Sequence, residues 1–374
     1  MKYLIRGNDF KARQWAKNAP NSDIHWINGA RLLFGFKVIA QSWRLKSKSV
    51  IVVQRYLNDY PSYWKSFMLV VTDLVYLSYL KMRGIELWWL CHNIDQESEV
   101  NHSKFIRWRR HLALSSAKKI LVTDPFFIKY ASLLFRKYKV PIDAVCFGDY
   151  SNQMDIHASN LKVTKPLSEP LSFKSIGFSD LLKLLKEQRN SSEFIGYCGG
   201  GVLPKKKYLE SVPELIEKSA EEGITLKLLV LSNLSEKKNP RLYRYLLKSP
   251  HVIFINSLMD LDLHAIAPYV DFYWTGYDDI SMPFSIHAAN TTGVPSISLN
   301  VGIIPLLLRH YQIGFTLAKD LSNLKETLLI LKRYDFKHME FLKQHEWNSF
   351  EKLLQKNNKI RSNSTNSEGI LLDR

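Results

Sequence analysis

Apolar and polar positions along this chain alternate between two periods. Short unbroken apolar runs, of the kind that fill the middle of a sheet, give way to stretches whose apolar residues recur three and four apart. In the first 150 residues the runs are Val50-Ile-Val-Val-Gln54, Ile85-Glu-Leu-Trp-Trp-Leu-Cys91, Lys119-Ile-Leu-Val-Thr123 and Ala144-Val-Cys-Phe147, with an opening strand over Lys2 to Ile5. Helical spacing covers Tyr63 to Met82 and Phe105 to Ser116, and Asp124-Pro125 opens a further helix as cap and first-turn proline. The pattern resumes with Phe194–Cys198, Thr225–Leu231, His251–Ile255, Asp271–Thr275 and Ser296–Leu299 as strands with helices between them. Strands alternating with helices predict parallel sheets covered on both faces, an α/β fold. The stretch between the two series is rich in Ser, Lys, Pro and Asn. The reading is a first domain over 1–165, a connection over 166–192, a second domain over 193–345, and a C-terminal helix with a disordered tail over 346–374.

At 374 residues and 46% hydrophobic, the chain can bury a core in each half. Its first residues meet a charge and a glycine too early for a secretory signal. The longest apolar stretch, Phe67 to Leu80, is broken by Asp73 and falls short of a membrane span. Cys91, Cys146 and Cys198 each sit in an apolar run and read as buried thiols in a reducing, cytoplasmic compartment. The net charge of +17 is unevenly placed: residues 1–150 carry 24 Lys/Arg against 11 Asp/Glu. Lys104-Phe-Ile-Arg-Trp-Arg-Arg-His111 mixes these cations with aromatics, which suits an anionic membrane surface such as the inner face of the plasma membrane. Nucleic acid is not expected as a partner, because no recognition motif accompanies the charge.

The strongest chemical signal is Ile195-Gly-Tyr-Cys-Gly-Gly-Gly-Val-Leu-Pro-Lys-Lys-Lys207. A strand stops at Gly199, Gly200 and Gly201, cations follow, and a helical pattern begins. Glycines let a backbone approach an anion, and a helix start adds free N–H groups and positive potential. Other reactive residues also follow strand ends, where open parallel sheets bind ligands. They are His92-Asn93-Ile94-Asp95-Gln96-Glu97, Gly148-Asp149-Tyr150, and Asp278-Asp279 with Ser281. No Cys/His set has zinc spacing. Asp260-Leu-Asp262 copies a metal-binding DxD but reads as a helix cap, so no metal and no cofactor is expected.

These motifs together resemble glycosyltransferases of the GT-B type, in particular those of bacterial capsule, exopolysaccharide and O-antigen synthesis. The resemblance rests on Trp88-Trp-Leu-Cys-His92-Asn93, Ser115-Ser-Ala-Lys-Lys-Ile-Leu-Val-Thr-Asp124, Phe147-Gly148-Asp149-Tyr150, Ile195 through Leu215, and Ser281-Met-Pro283 through Pro295-Ser-Ile297. It implies two facing Rossmann-like domains with a cleft between them, the second holding a nucleotide-sugar donor. It also implies Gly199, Gly200, Gly201, Lys206, Lys207, Asp278, Asp279, Ser281 and Ser285 on the donor side. His92, Asp95 and Glu97 are candidates for the acceptor base, with Asn93, Gly148 and Tyr150 beside them. The sequence departs from the pattern where Ser285 replaces a lysine and Ala288 and Ile280 replace two glutamates. The expected acceptor is a growing, lipid-linked glycan. Rival readings are a sugar-nucleotide epimerase of the same fold and a non-catalytic partner subunit.

Overall fold

The computed structural model describes residues 2–7, 9–45, 50–94, 100–148, 161–164, 173–199, 209–237, 239–256, 261–276 and 284–369. The chain forms two compact units, Met1–Gly148 with His345–Arg374, and Asp149–Gln344. The first contains β1 (Lys2–Arg6), α1 (Phe10–Lys17), β2 (Asp23–Ile27), α2 (Phe34–Arg44), β3 (Val50–Gln54), α3 (Tyr63–Met82), β4 (Glu86–Cys91), α4 (Ser103–Ser116), β5 (Ala117–Val122), α5 (Phe126–Leu134) and β6 (Ile142–Ala144). All neighbouring strands are parallel, in the order β2-β1-β3-β4-β5-β6. Order reverses between β1 and β3, so connections leave in opposite directions there and open a crevice at the carboxyl ends.

Apolar residues on β1, β3, α2 and α3, including Leu4, Val52, Val38, Tyr76 and Leu80, fill one core of this sheet. Between β5 and α5, Asp124 Oδ1 accepts from the Phe126 N–H at 2.8 Å, while the cap position of α5 falls on Pro125, one residue later than the sequence places it. The Ala144–Phe147 run is strand only up to Ala144. Its continuation is buried by Trp15 and Trp347, whose rings lie 5.6 and 6.1 Å from that of Phe147.

The second unit contains β7 (Leu161–Thr164), β8 (Phe173–Ile176), α6 (Phe178–Ser191), β9 (Phe194–Gly199), α7 (Val212–Glu221), β10 (Leu226–Ser232), α8 (Pro240–Lys248), β11 (Val252–Asn256), α9 (Leu263–Ile266), β12 (Phe272–Trp274), α10 (Phe284–Thr291), β13 (Ser296–Leu299), α11 (Ile304–Tyr311), β14 (Gly314–Leu317), α12 (Leu324–Leu331) and α13 (His338–Gln344). Its sheet runs β14-β13-β12-β9-β10-β11-β7-β8, with β7 and β8 antiparallel and the other six parallel. The parallel part has the dinucleotide-fold order, which reverses between β9 and β12. Within the stretch read as a connection, α6 supplies Leu181, Leu184 and Leu185 to this unit's core beside Ile195, Leu229 and Ile253.

α14 (Ser349–Gly369) belongs to the first unit. His345 anchors the return through Nε2, 2.8 Å from Asp124 Oδ2, with both side chains buried. The Cys146 N–H donates to Ser349 Oγ at 2.9 Å. The backbone is helical to Gly369, through most of the stretch read as a C-terminal helix with a disordered tail.

Candidate functional site

Each unit presents a crevice at its reversal of strand order. In the second unit the flanking strands are β9, ending at Gly199, and β12, ending at Trp274. Both predicted donor-side segments leave from these strands. The ends are held firmly: Trp274 Nε1 donates to Ser211 Oγ at 3.2 Å, and Leu209 is buried, fixing the return of the glycine–lysine loop into α7. Beyond β12, Thr275 Oγ1 donates to the Ile297 carbonyl at 3.1 Å and Ser298 Oγ donates to the Thr275 carbonyl at 2.7 Å. Gly199 has a packing reason of its own, since a Cβ there would lie 2.2 Å from the Tyr197 hydroxyl. Ser285 lies half-buried in the first turn of α10, and Ala288 is buried on the same helix. Asp262 caps α9, accepting from the N–H groups of His264 and Ala265. Gly200, Gly201, Lys206, Lys207, Asp278, Asp279 and Ser281 lie outside the described residues, as do Asp95, Glu97 and Tyr150.

In the first unit the crevice is a cavity of about 250 Å³ at the carboxyl ends of β1, β2 and β3. Arg6, Asp9, Arg31, Arg55, Tyr56 and Asn58 line it. Arg55 Nη2 reaches both Asp9 oxygens, at 3.1 and 2.9 Å. Burial acts to raise the Asp9 carboxyl, but the Arg55 guanidinium and the Ala12 N–H outweigh it and hold the group below its usual range. Arg6 donates to the Tyr56 carbonyl at 2.5 Å and lies over the Phe34 ring at 4.9 Å. Burial, then repulsion from Arg109, lowers its guanidinium to about 10. Gly7 (φ 80°) and Gly29 (φ 119°) turn the chain around the rim in the left-handed region that favours glycine.

The loop after β3 that walls this cavity is clamped from beneath. Arg109 donates to the carbonyls of Leu57 and Asn58, each at 2.8 Å, and to Asp73 Oδ2. Asp59 accepts from the N–H groups of Asn101 and His102, while Arg31 donates to the Asp59 carbonyl. Two cations of the Lys104–His111 segment therefore face inward. The second, Arg110, donates to the carbonyls of Asn93 and Ile94 and fixes the turn after β4.

His92 stacks on Tyr56, ring centroids 4.2 Å apart and 10° from parallel. Its Nε2 is closed off from solvent and has no hydrogen-bond partner among the described residues. Burial, then Arg55 and Lys11, push this imidazole well below its usual value, so it is neutral at pH 7. Gly148, placed by sequence on the acceptor side, packs against Trp347, whose backbone nitrogen would lie 2.5 Å from a Cβ there. Sequence reasoning missed Arg6, Asp9, Arg31 and Arg55. Arg6 and Arg55 were detectable as cations placed at or just after the ends of two buried strands.

No disulfide joins the described cysteines, all of which are buried, and burial pushes the Cys146 thiol up to about 12. No described helix is long and apolar enough to cross a membrane, and the described residues contain no His/Cys/Asp/Glu group that could hold a metal ion.

Two Rossmann-like units with these strand orders give the chain the fold of GT-B glycosyltransferases. HepE of Anabaena in complex with UDP superposes with a TM-score of 0.61 at 12% identity, covering 96% of this chain and 100% of that one. The sucrose-phosphate synthase of Thermosynechococcus elongatus gives 0.64 at 10% identity, covering 98% and 99%. The E. coli trehalose-6-phosphate structure bound with UDP-2-fluoro glucose gives 0.62 at 10% identity, covering 96% and 98%. No protein-family model matches the sequence, and no curated protein matches it.

Proposed function

We propose that the protein transfers a glycosyl group from a UDP-sugar to a growing glycan carried on a membrane lipid. The observation that carries this reading is the position of the donor segments. The glycine–lysine loop follows β9 and the Asp278–Ser285 segment follows β12, the two strands that flank the crevice of the second sheet. Structures of the same fold hold UDP, UDP-glucose and UDP-2-fluoro glucose.

In this account Gly199, Gly200 and Gly201 admit the diphosphate, and Lys206 and Lys207 neutralise it. The acceptor hydroxyl oxygen bonds to the anomeric carbon as the bond from that carbon to the diphosphate oxygen breaks. UDP leaves with added negative charge, which the lysines stabilise without a metal or other cofactor. Asp278, Asp279, Ser281 and Ser285 contact the remainder of the donor. The hydroxyl proton passes to a base on the acceptor side, where Asp95, Glu97 and His92 follow β4 with Asn93, and Gly148 and Tyr150 follow the β6 region. The sealed Nε2 of His92, whose ring stacks on Tyr56, favours the two carboxylates as the base.

The membrane part of the reading has its own support. Trp64 and Tyr63 on α3 and Trp108 on α4 are 71%, 59% and 43% exposed. A ladder of ring contacts joins them through Phe105, and Lys104 lies over Trp108 at 5.0 Å. Exposed indole rings among Lys65, Lys104 and Arg107 suit the headgroup layer of an anionic cytoplasmic leaflet. The test replaces His92, Asp95 and Glu97 singly. UDP affinity should stay within about threefold, roughly 0.65 kcal/mol. At least one variant should lose about 10²-fold or more in turnover of a UDP-sugar. Near-normal turnover in all three would place the base elsewhere.

A further inference from the structure

The cavity of the first unit combines features that nothing in the donor reading uses. Three guanidinium groups meet at one crevice. One of them, Arg55, is balanced by Asp9, and its Nε is buried without a hydrogen-bond partner among the described residues. Arg6 is different. It ends the buried β1, one nitrogen is tied to the Tyr56 carbonyl, and one face lies on Phe34. No carboxylate contacts it among the described residues, Asp73 acting on it only from a distance, and it lines the cavity. A cation held rigid on two sides with no carboxylate in contact is a preorganised anion site. Guanidinium forks match the oxygens of a phosphate in pairs.

Size narrows the ligand. Pockets for drug-sized molecules run to ~300–1,000 Å³, so about 250 Å³ suits a phosphate group and an adjoining sugar ring better than a whole nucleotide-sugar. We infer that this cavity binds a phosphate group of the acceptor substrate through Arg6, Arg31 and Arg55. The inference rests on the reading of the first unit as the acceptor side. The same chemistry arises from a soluble sugar phosphate or from the diphosphate of a lipid carrier.

The experiment uses the full chain with inorganic phosphate as the probe, followed by a hexose 6-phosphate and a short-chain prenyl diphosphate. UDP serves as the independent arm. Phosphate should raise the melting temperature of the wild type. Arg6→Gln should weaken phosphate binding at least tenfold while UDP affinity stays within about threefold, and Arg6→Lys should fall between. Arg31→Gln is the second variant, read in the same way should Arg6→Gln fail to fold. Tighter binding of the hexose phosphate or of the prenyl diphosphate supports the site and identifies the source of its phosphate. Equal phosphate affinity in wild type and variants overturns the inference, as does absence of any phosphate effect on the wild type. Loss of UDP affinity in Arg6→Gln also overturns it, by assigning the cavity to the donor. Arg6-dependent phosphate binding by a chain that ignores UDP leaves this site standing and removes the UDP-sugar reading.

Discussion

Arg109 and Asp73 meet at 2.6 Å between α4 and α3, both side chains almost wholly buried. The pair lies beneath the loop that walls the first unit's cavity, because the same guanidinium also holds the carbonyls of Leu57 and Asn58. Removing one partner strands a buried charge. Asp73→Asn or Arg109→Met should therefore lower unfolding free energy by about 3–5 kcal/mol in denaturant titration. A loss below about 1 kcal/mol would mean that the pair is replaceable by packing.

The aromatic ladder on α3 and α4 should seat the protein on anionic vesicles. Trp64→Ser with Trp108→Ser removes apolar anchors that are already exposed, so folding should be unchanged. Lys65, Lys104 and Arg107 changed to Gln remove charge. Sedimentation with anionic liposomes should drop in both sets, and wild-type binding should weaken as salt rises. Equal binding of the wild type to neutral vesicles would contradict the electrostatic part.

Acid should destabilise the fold before its carboxylates titrate. His338 shares a hydrogen bond of 2.9 Å with Asn290, and burial lowers its imidazole to about 4, against an ordinary value near 6.5. Between those values the unfolded chain takes up a proton that the folded chain refuses. Stability is thus full above about pH 6.5 and falls as pH drops toward 4. His92, pushed down by burial, acts in the same direction. Because the His338 ring is only partly buried, its share is about 1–2 kcal/mol. Denaturant midpoints at pH 7 and 4.5 should lie closer together in His338→Gln than in the wild type. An unchanged difference would remove His338 from the account.

Elements governed by local pattern were legible. β3, α3 and β13 carry the bounds that the apolar periods give, and the cap at Asp262 follows from residue type. Elements governed by distant partners were not. β2, Asp-Ile-His-Trp-Ile, is strand because it pairs with β1, not because it alternates cleanly. Val145 to Phe147 look like strand and are buried by Trp15 and by a segment 200 residues away instead. Arg109 and Arg110 look solvated in sequence, yet their partners are loop carbonyls and an aspartate on other elements. The cavity arginines were missed for the same reason, since the walls of that site come from three strands that the sequence does not order. The glycine–lysine loop was singled out because its glycines and lysines are contiguous in the sequence.

The crevice of the second unit should hold a nucleoside diphosphate. Calorimetric titration of the full chain with UDP tests it most directly, with Lys206→Ala/Lys207→Ala measured beside the wild type. The wild type should bind UDP, and the double variant, still folded, should lose ~1.5–3 kcal/mol for each charge-assisted contact removed. A wild type that does not bind UDP, or a variant that binds it equally well, would contradict the account.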